Sequence, residues 1–117
     1  MDNRIARIAG VVVKGKQKGR ELGFPTANLA LFDSAIKSGV YAGKVSFDDR
    51  EYSVAIFVPE LGDLLEVHIL DFQGDLYGKK IEVAVGQKIR KVMRFESEQE
   101  LVKQISKDLL QVRDFKM

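Results

Sequence analysis

Thr26 and Asn28 stand two apart in Gly23-Phe24-Pro25-Thr26-Ala27-Asn28-Leu29, a spacing that can bring a hydroxyl and an amide oxygen side by side. Pro25 fixes its own φ and pushes Phe24 out of the helical region, so the chain leaves this turn extended. Extended backbone alternates sides. Thr26 and Asn28 therefore face one way while Ala27 and Leu29 face the other, toward a core. Hard oxygen donors of this kind suit Mg²⁺. Just upstream, Gly15 and Gly19 frame a loop carrying Lys16, Lys18 and Arg20. Its backbone N–H groups can turn toward an anion with cations beside them, and a phosphate fits there. Each feature also has a plainer reading, as polar residues at a strand start and as a solvated Gly/Lys turn.

Other residues could add to such a site. Glu66 interrupts a Leu/Val/Ile run, a position from which a carboxylate either faces solvent or accepts a proton. His68, the only histidine, falls on the same face two residues on. One histidine makes neither a triad nor a zinc set, so it is read as structural and left out of the catalytic residues. Arg90 and Arg94 lie between the last apolar run and the final helix, where a guanidinium can hold a phosphate or stack on a flat ring. Gly10 followed by Gly15-Lys16 imitates the start of a P-loop. Gln17 then stands where that motif needs Ser or Thr, Val11-Val12-Val13 favours a strand, and no helix pattern follows, so the P-loop reading is rejected.

The elements that must carry these residues are short and mostly extended. Ile5 to Lys14 reads as a strand ending at Gly15, and the extended chain resumes from Ala27 to Leu31. Val40 to Phe47 and Glu51 to Val58 form a hairpin about Asp48-Asp49. Leu64 to Leu70 alternates, with Leu65, Val67 and Ile69 on one face and Leu64, Glu66, His68 and Leu70 on the other. Gln73-Gly74-Asp75 turns the chain into a last strand, Lys80 to Lys88, in which Ile81, Val83 and Val85 share a buried face. At Ser97 the rhythm changes. Glu100 follows three residues later as in a capping box, and Leu101, Ile105, Leu109 and Val112 recur at helical spacing. About six strands followed by one helix favour a small antiparallel barrel or closely packed sheet over βαβ units.

The whole-chain numbers set bounds without naming a function. The 117 residues suffice for one domain, 1–117, with a real core. No apolar run approaches the roughly 20 residues that span a membrane, the start does not look like a signal peptide, and the absence of cysteine fits a reducing cytosol, so a cytoplasmic protein with no membrane partner is expected. A net charge of +2 is too small to argue for nucleic acid.

The run from Gly10 through Gly15, Gly19, Arg20 and Leu22-Gly23-Phe24-Pro25-Thr26-Ala27-Asn28 is joined by Gly39-Val40-Tyr41-Ala42-Gly43, Leu65-Glu66-Val67-His68-Ile69-Leu70-Asp71-Phe72, Leu76-Tyr77-Gly78 and Ile89-Arg90. In order and approximate spacing these resemble the ATP-dependent riboflavin kinases. The resemblance implies a mainly β fold, a six-stranded antiparallel Greek-key β-barrel with a C-terminal α-helix. It also implies transfer of the ATP γ-phosphate to the ribityl 5′-hydroxyl of riboflavin, giving FMN and ADP. Such a transfer needs a triphosphate cradle, a bridging cation and a carboxylate. The resemblance implies Glu66 as the base and Thr26 and Asn28 as the Mg²⁺ anchors. It puts Gly15, Lys18, Gly19, Arg20, Pro25 and Thr26 at the nucleotide, and Arg90, in preference to Arg94, at the flavin and phosphate. A monomer is expected.

Three departures stand out. The segment between Val54 and Leu64 is shorter than the family's, Lys14 stands where His is frequent, and Lys91 follows Arg90. Because the chain starts directly at the kinase-like module, FMN formation without FAD synthesis is expected. Two rival readings are a flavin- or nucleotide-binding barrel without turnover, and a small nucleic-acid-binding barrel using Lys14, Lys16, Lys18 and Arg20. The second lacks an aromatic stacking set beside those cations.

Overall fold

Val, Ile and Leu at alternate positions give each strand one apolar face, and a sheet closed on itself hides all of these faces at once. The computed structural model describes residues 6–14, 23–30, 36–61 and 64–116. Its strands are β1 (Ala6–Val13), β2 (Ala27–Ala30), β3 (Gly39–Phe47), β4 (Arg50–Val58), β5 (Leu64–Ile69) and β6 (Lys80–Arg90), followed by helix α1 (Glu98–Asp114). The strands close into a barrel in the order β1-β2-β5-β4-β3-β6, with every pairing antiparallel. β3, β4 and β5 form a meander, and β6 returns beside β3, which is the Greek-key connection. The expected mainly β barrel with a C-terminal helix is therefore the fold observed.

The interior is continuous. Leu29, Val45, Val54, Ile56, Leu65, Val67, Ile81, Val83 and Val85 come from five different strands and are almost wholly buried. Two local devices shape the wall. Asp48 and Asp49 both take positive φ, 51° and 61°, so the β3–β4 connection twists with its strands as a two-residue hairpin turn does. Where β3 meets β6 the register shifts around Tyr41, and the backbones approach so closely at Gly43 that a Cβ there would lie 2.2 Å from the Ala84 carbonyl oxygen. Only glycine fits at that crossing. Tyr41 is buried beside this shift, its hydroxyl donating to the Lys37 carbonyl at 2.7 Å, and burial raises its pKa above the ordinary tyrosine value.

Helix α1 begins as its sequence requires. The Glu100 backbone N–H donates to the Ser97 side chain at 3.1 Å, while the Glu100 carboxylate reaches back to the Glu96 N–H, one residue earlier than in the standard capping box. Its inner face lies on the outside of the barrel, where Val112 joins Ala42 and Leu70 in a second, smaller apolar cluster. A charged pair reinforces the contact. Asp108, 3% exposed, accepts from Arg90 Nε at 3.0 Å and pairs with Nη2 at 2.9 Å, and Gln104 also donates to it. Among the described residues, no helix is long and apolar enough to cross a membrane.

Candidate active site

Strand register, which periodicity alone cannot supply, brings the chemistry together. Asn28 on β2 pairs directly with Glu66 on β5, and Glu66 pairs on its other side with Phe57 on β4. The row extends from Val13 on β1 across to Val40 on β3 and Arg90 on β6. Paired residues in neighbouring strands point to the same side of a sheet, so the amide, the carboxylate and the guanidinium share the outer face of the barrel. Asn28 is nevertheless 5% exposed, and Glu66 is half-buried.

Two clefts border this row. The first, about 280 Å³, lies between the barrel and α1 and is lined largely by apolar groups, among them Phe24, Phe57, Met93, Phe95, Ile105 and Leu109. Glu66, His68, Arg90 and Thr26 supply polar atoms to its wall. The second, about 430 Å³, opens between the β1 and β2 ends and the turn before β6, with Lys14, Pro25, Asn28, Phe72, Leu76 and Tyr77 around it. Its far rim is fastened to β1, for the Gly78 N–H donates to the Val12 carbonyl and the Val12 N–H to the Lys79 carbonyl, both at 2.9 Å. Lys14 covers the Tyr77 ring at 5.1 Å from its centroid. Thr26 lines both clefts.

Thr26 also carries an unfinished interaction. Its Oγ1 is buried and has no hydrogen-bond partner among the described residues. An orphaned hydroxyl costs about 1–3 kcal/mol, so a position that keeps one is suited to a ligand or cation that completes it. The Asn28 amide two residues on adds a second oxygen, and hard oxygen donors are the kind a Mg²⁺ ion accepts. Among the described residues there is no group of three or more His, Cys, Asp or Glu fit to hold a metal.

The other expected site residues divide three ways. Pro25, Thr26 and Asn28 meet at the second cleft, while Glu66 and Arg90 sit in the first. Gly15, Lys16, Lys18, Gly19 and Arg20 lie outside the described residues. Arg94 is exposed and borders neither cleft. Sequence reasoning missed Asp108 as the partner of Arg90. The signal was present, since Asp108 falls three residues after Ile105 on the inner stripe of the helix. The bond between His68 and the Pro25 turn had no such signal, because it joins residues 43 apart.

A closed barrel with two clefts meeting at an oxygen-bearing turn, and a carboxylate beside it, defines a class of two-cleft β-barrel protein. The comparisons with known proteins give that class its family. Residues 3–116 match the flavokinase family model, described as riboflavin kinase, and the chain belongs to that family. It is 42% identical over 110 residues to the RNA-binding riboflavin kinase RibR of Bacillus subtilis, an alignment covering 87% of this chain and 47% of that protein. Over 122 residues it is 37% identical to the bifunctional riboflavin kinase/FMN adenylyltransferase of Buchnera aphidicola, covering 96% and 39%. Among solved structures, a Streptococcus pneumoniae chain titled a macrolide-efflux protein superposes with a TM-score of 0.87 at 32% identity, covering 94% of this chain and 39% of that one. The riboflavin kinase of Trypanosoma brucei gives 0.68 at 31%, covering 92% and 77%. The chain thus spans less than half the length of these two curated relatives.

Proposed function

We propose that residues 1–117 form one kinase domain that transfers the γ-phosphoryl group of ATP to the ribityl 5′-hydroxyl of riboflavin, giving FMN and ADP. The isoalloxazine ring takes the apolar cleft under α1, and the nucleotide takes the cleft bounded by Pro25, Phe72 and Tyr77. What supports this assignment is the position of Thr26 in the wall of both clefts, next to the directly paired Asn28 and Glu66. Two substrates in those clefts meet at that wall.

Glu66 accepts the hydroxyl proton as the ribityl oxygen bonds to the γ-phosphorus and the bond to the β–γ bridging oxygen breaks, releasing ADP. Thr26 and Asn28 are the residues that would hold Mg²⁺, which when bound would neutralise charge on the phosphate oxygens. Arg90 has five N–H groups, of which the contacts to Asp108 and to the Lys91 carbonyl leave two for a ligand in the flavin cleft. Gly15, Lys18, Gly19 and Arg20 complete the phosphate cradle in this reading.

The test is incubation of the purified chain with riboflavin, ATP and Mg²⁺, separation of the flavins by chromatography, and Glu66→Gln run alongside. The native chain is expected to make FMN, and the folded variant about 10²–10⁴ times less, the usual contribution of a positioned base. A folded Glu66→Gln protein with native turnover removes Glu66 from the mechanism, and riboflavin binding without FMN in the native chain leaves a receptor. The Bacillus relative's description supports a second reading, binding of RNA. Oligonucleotide binding that weakens steeply with salt is its signature.

A further inference from the structure

We propose that His68 is a positioning residue for phosphoryl transfer, holding the turn that presents Thr26 and Asn28 by donating its Nδ1–H to the Pro25 carbonyl. The inference rests on the kinase reading of the two clefts, and it goes beyond it in giving His68 a task and a fixed tautomer. The β2–β5 ladder ends at the pair Ala27 and Val67. Pro25 and Thr26 therefore precede the last ladder pair, and Pro25 has no N–H with which to extend it. His68 is the next residue of β5. Its Nδ1 lies 2.8 Å from the Pro25 carbonyl oxygen, and its ring meets the Phe24 ring edge to face at 5.9 Å. The side chain thus continues by other means a pairing that the backbone abandons.

The chemistry fixes where the proton sits. A backbone carbonyl only accepts, so the short contact requires the proton on Nδ1. Thr26 follows Pro25 directly, and its hydroxyl is the buried oxygen with no partner among the described residues. A group held in place without a hydrogen bond of its own depends on its neighbours for position, and here the neighbour is tied by His68. Small displacements of a binding group carry large costs, since orientation is much of what such a site supplies.

Substitution can separate the hydrogen bond from the ring. His68→Phe keeps the contact with Phe24 and removes the donor, whereas His68→Asn puts an amide N–H the same number of bonds from Cα as Nδ1. In His68→Phe the KM for Mg-ATP and the dissociation constant of Mg-ADP are expected to rise about three- to tenfold, the scale of one net hydrogen bond. His68→Asn is expected to recover most of the nucleotide loss. Because His68 is the only histidine, a nitrogen-detected NMR spectrum reports its tautomer without ambiguity. Nδ1-protonated imidazole supports the proposal, and the Nε2-protonated form overturns it. Unchanged Mg-ADP binding in folded His68→Phe also overturns it, as does His68→Asn behaving no better than His68→Phe. A native chain that makes no FMN would defeat the kinase reading, while the tautomer and Mg-ADP binding still decide the role of His68.

Discussion

Arg90 and Asp108 form the most consequential pair at the residue scale, because both are withdrawn from water, with side chains 14% and 5% exposed. The stability of such a pair depends on both partners being present. Removing one leaves the other charge buried and alone, which costs about 3–5 kcal/mol, whereas replacing both with apolar groups of similar volume is often neutral or stabilising. Asp108→Ala is therefore expected to lower the urea midpoint sharply, and Arg90→Met combined with Asp108→Leu to restore most of it. That double variant also isolates what Arg90 does for a ligand. It is expected to fold yet bind riboflavin or FMN about tenfold more weakly, the scale of a lost charge-assisted hydrogen bond. Native flavin affinity in the folded double variant would reduce Arg90 to a strut between barrel and helix. Residue types at the site were legible in the chain: Thr26, Asn28 and Glu66 stand out by chemistry. The pairing of Asn28 with Glu66 was not, since it joins residues far apart in sequence, whereas the place of Asp108 on the inner stripe of the helix pointed toward Arg90 without naming it.

At the scale of elements, alternation revealed which side of each strand faces inward, and Leu65, Val67 and Ile69 are buried as that pattern requires. Alternation is silent about neighbours. β2 pairs with β1 and β5 rather than with β3, and closure through β1 and β6 depends on the curvature of the whole sheet. Gly43 marks one place where that curvature is made. In the sequence it stood out as part of the Gly39–Gly43 motif and of a strand, but not as a crossing point, because the constraint comes from the backbone of β6. An alanine there would drive its Cβ against the Ala84 carbonyl, a backbone atom that cannot rotate away, and against the Ile56 side chain at 2.8 Å. Gly43→Ala is expected to cost about 1–3 kcal/mol, the range for overpacking a filled interior. A chemical denaturation curve checks this, and a variant as stable as the native chain would mean that the β3–β6 crossing can open without penalty.

For the molecule as a whole, the barrel and α1 stand on different amounts of packing. The barrel has a continuous interior drawn from all its strands, while α1 is held by the small cluster around Ala42, Leu70 and Val112 and by the Arg90–Asp108 pair. Elements with few buried apolar contacts open at lower free energy than the core. In hydrogen exchange of the free chain, amides of α1 are therefore expected to exchange faster than those of β3 and β4. The clefts then predict two distinct ligand footprints. Riboflavin between the barrel and the helix touches both walls and favours the docked helix, so it should slow exchange throughout α1, by about a hundredfold when present at 100 times its dissociation constant. Mg-ADP, lodged between Pro25 and Tyr77, has no wall on α1 and should protect β2 and the turn before β6 while leaving the helix as it was. The footprints should overlap at Thr26, the residue common to both clefts. If Mg-ADP alone protects α1 as strongly as riboflavin, the nucleotide reaches the helix, and the division of substrates between the two clefts is wrong. If α1 already exchanges as slowly as β3 and β4 without ligand, the helix unfolds only with the barrel, and its smaller packing does not lower its opening free energy.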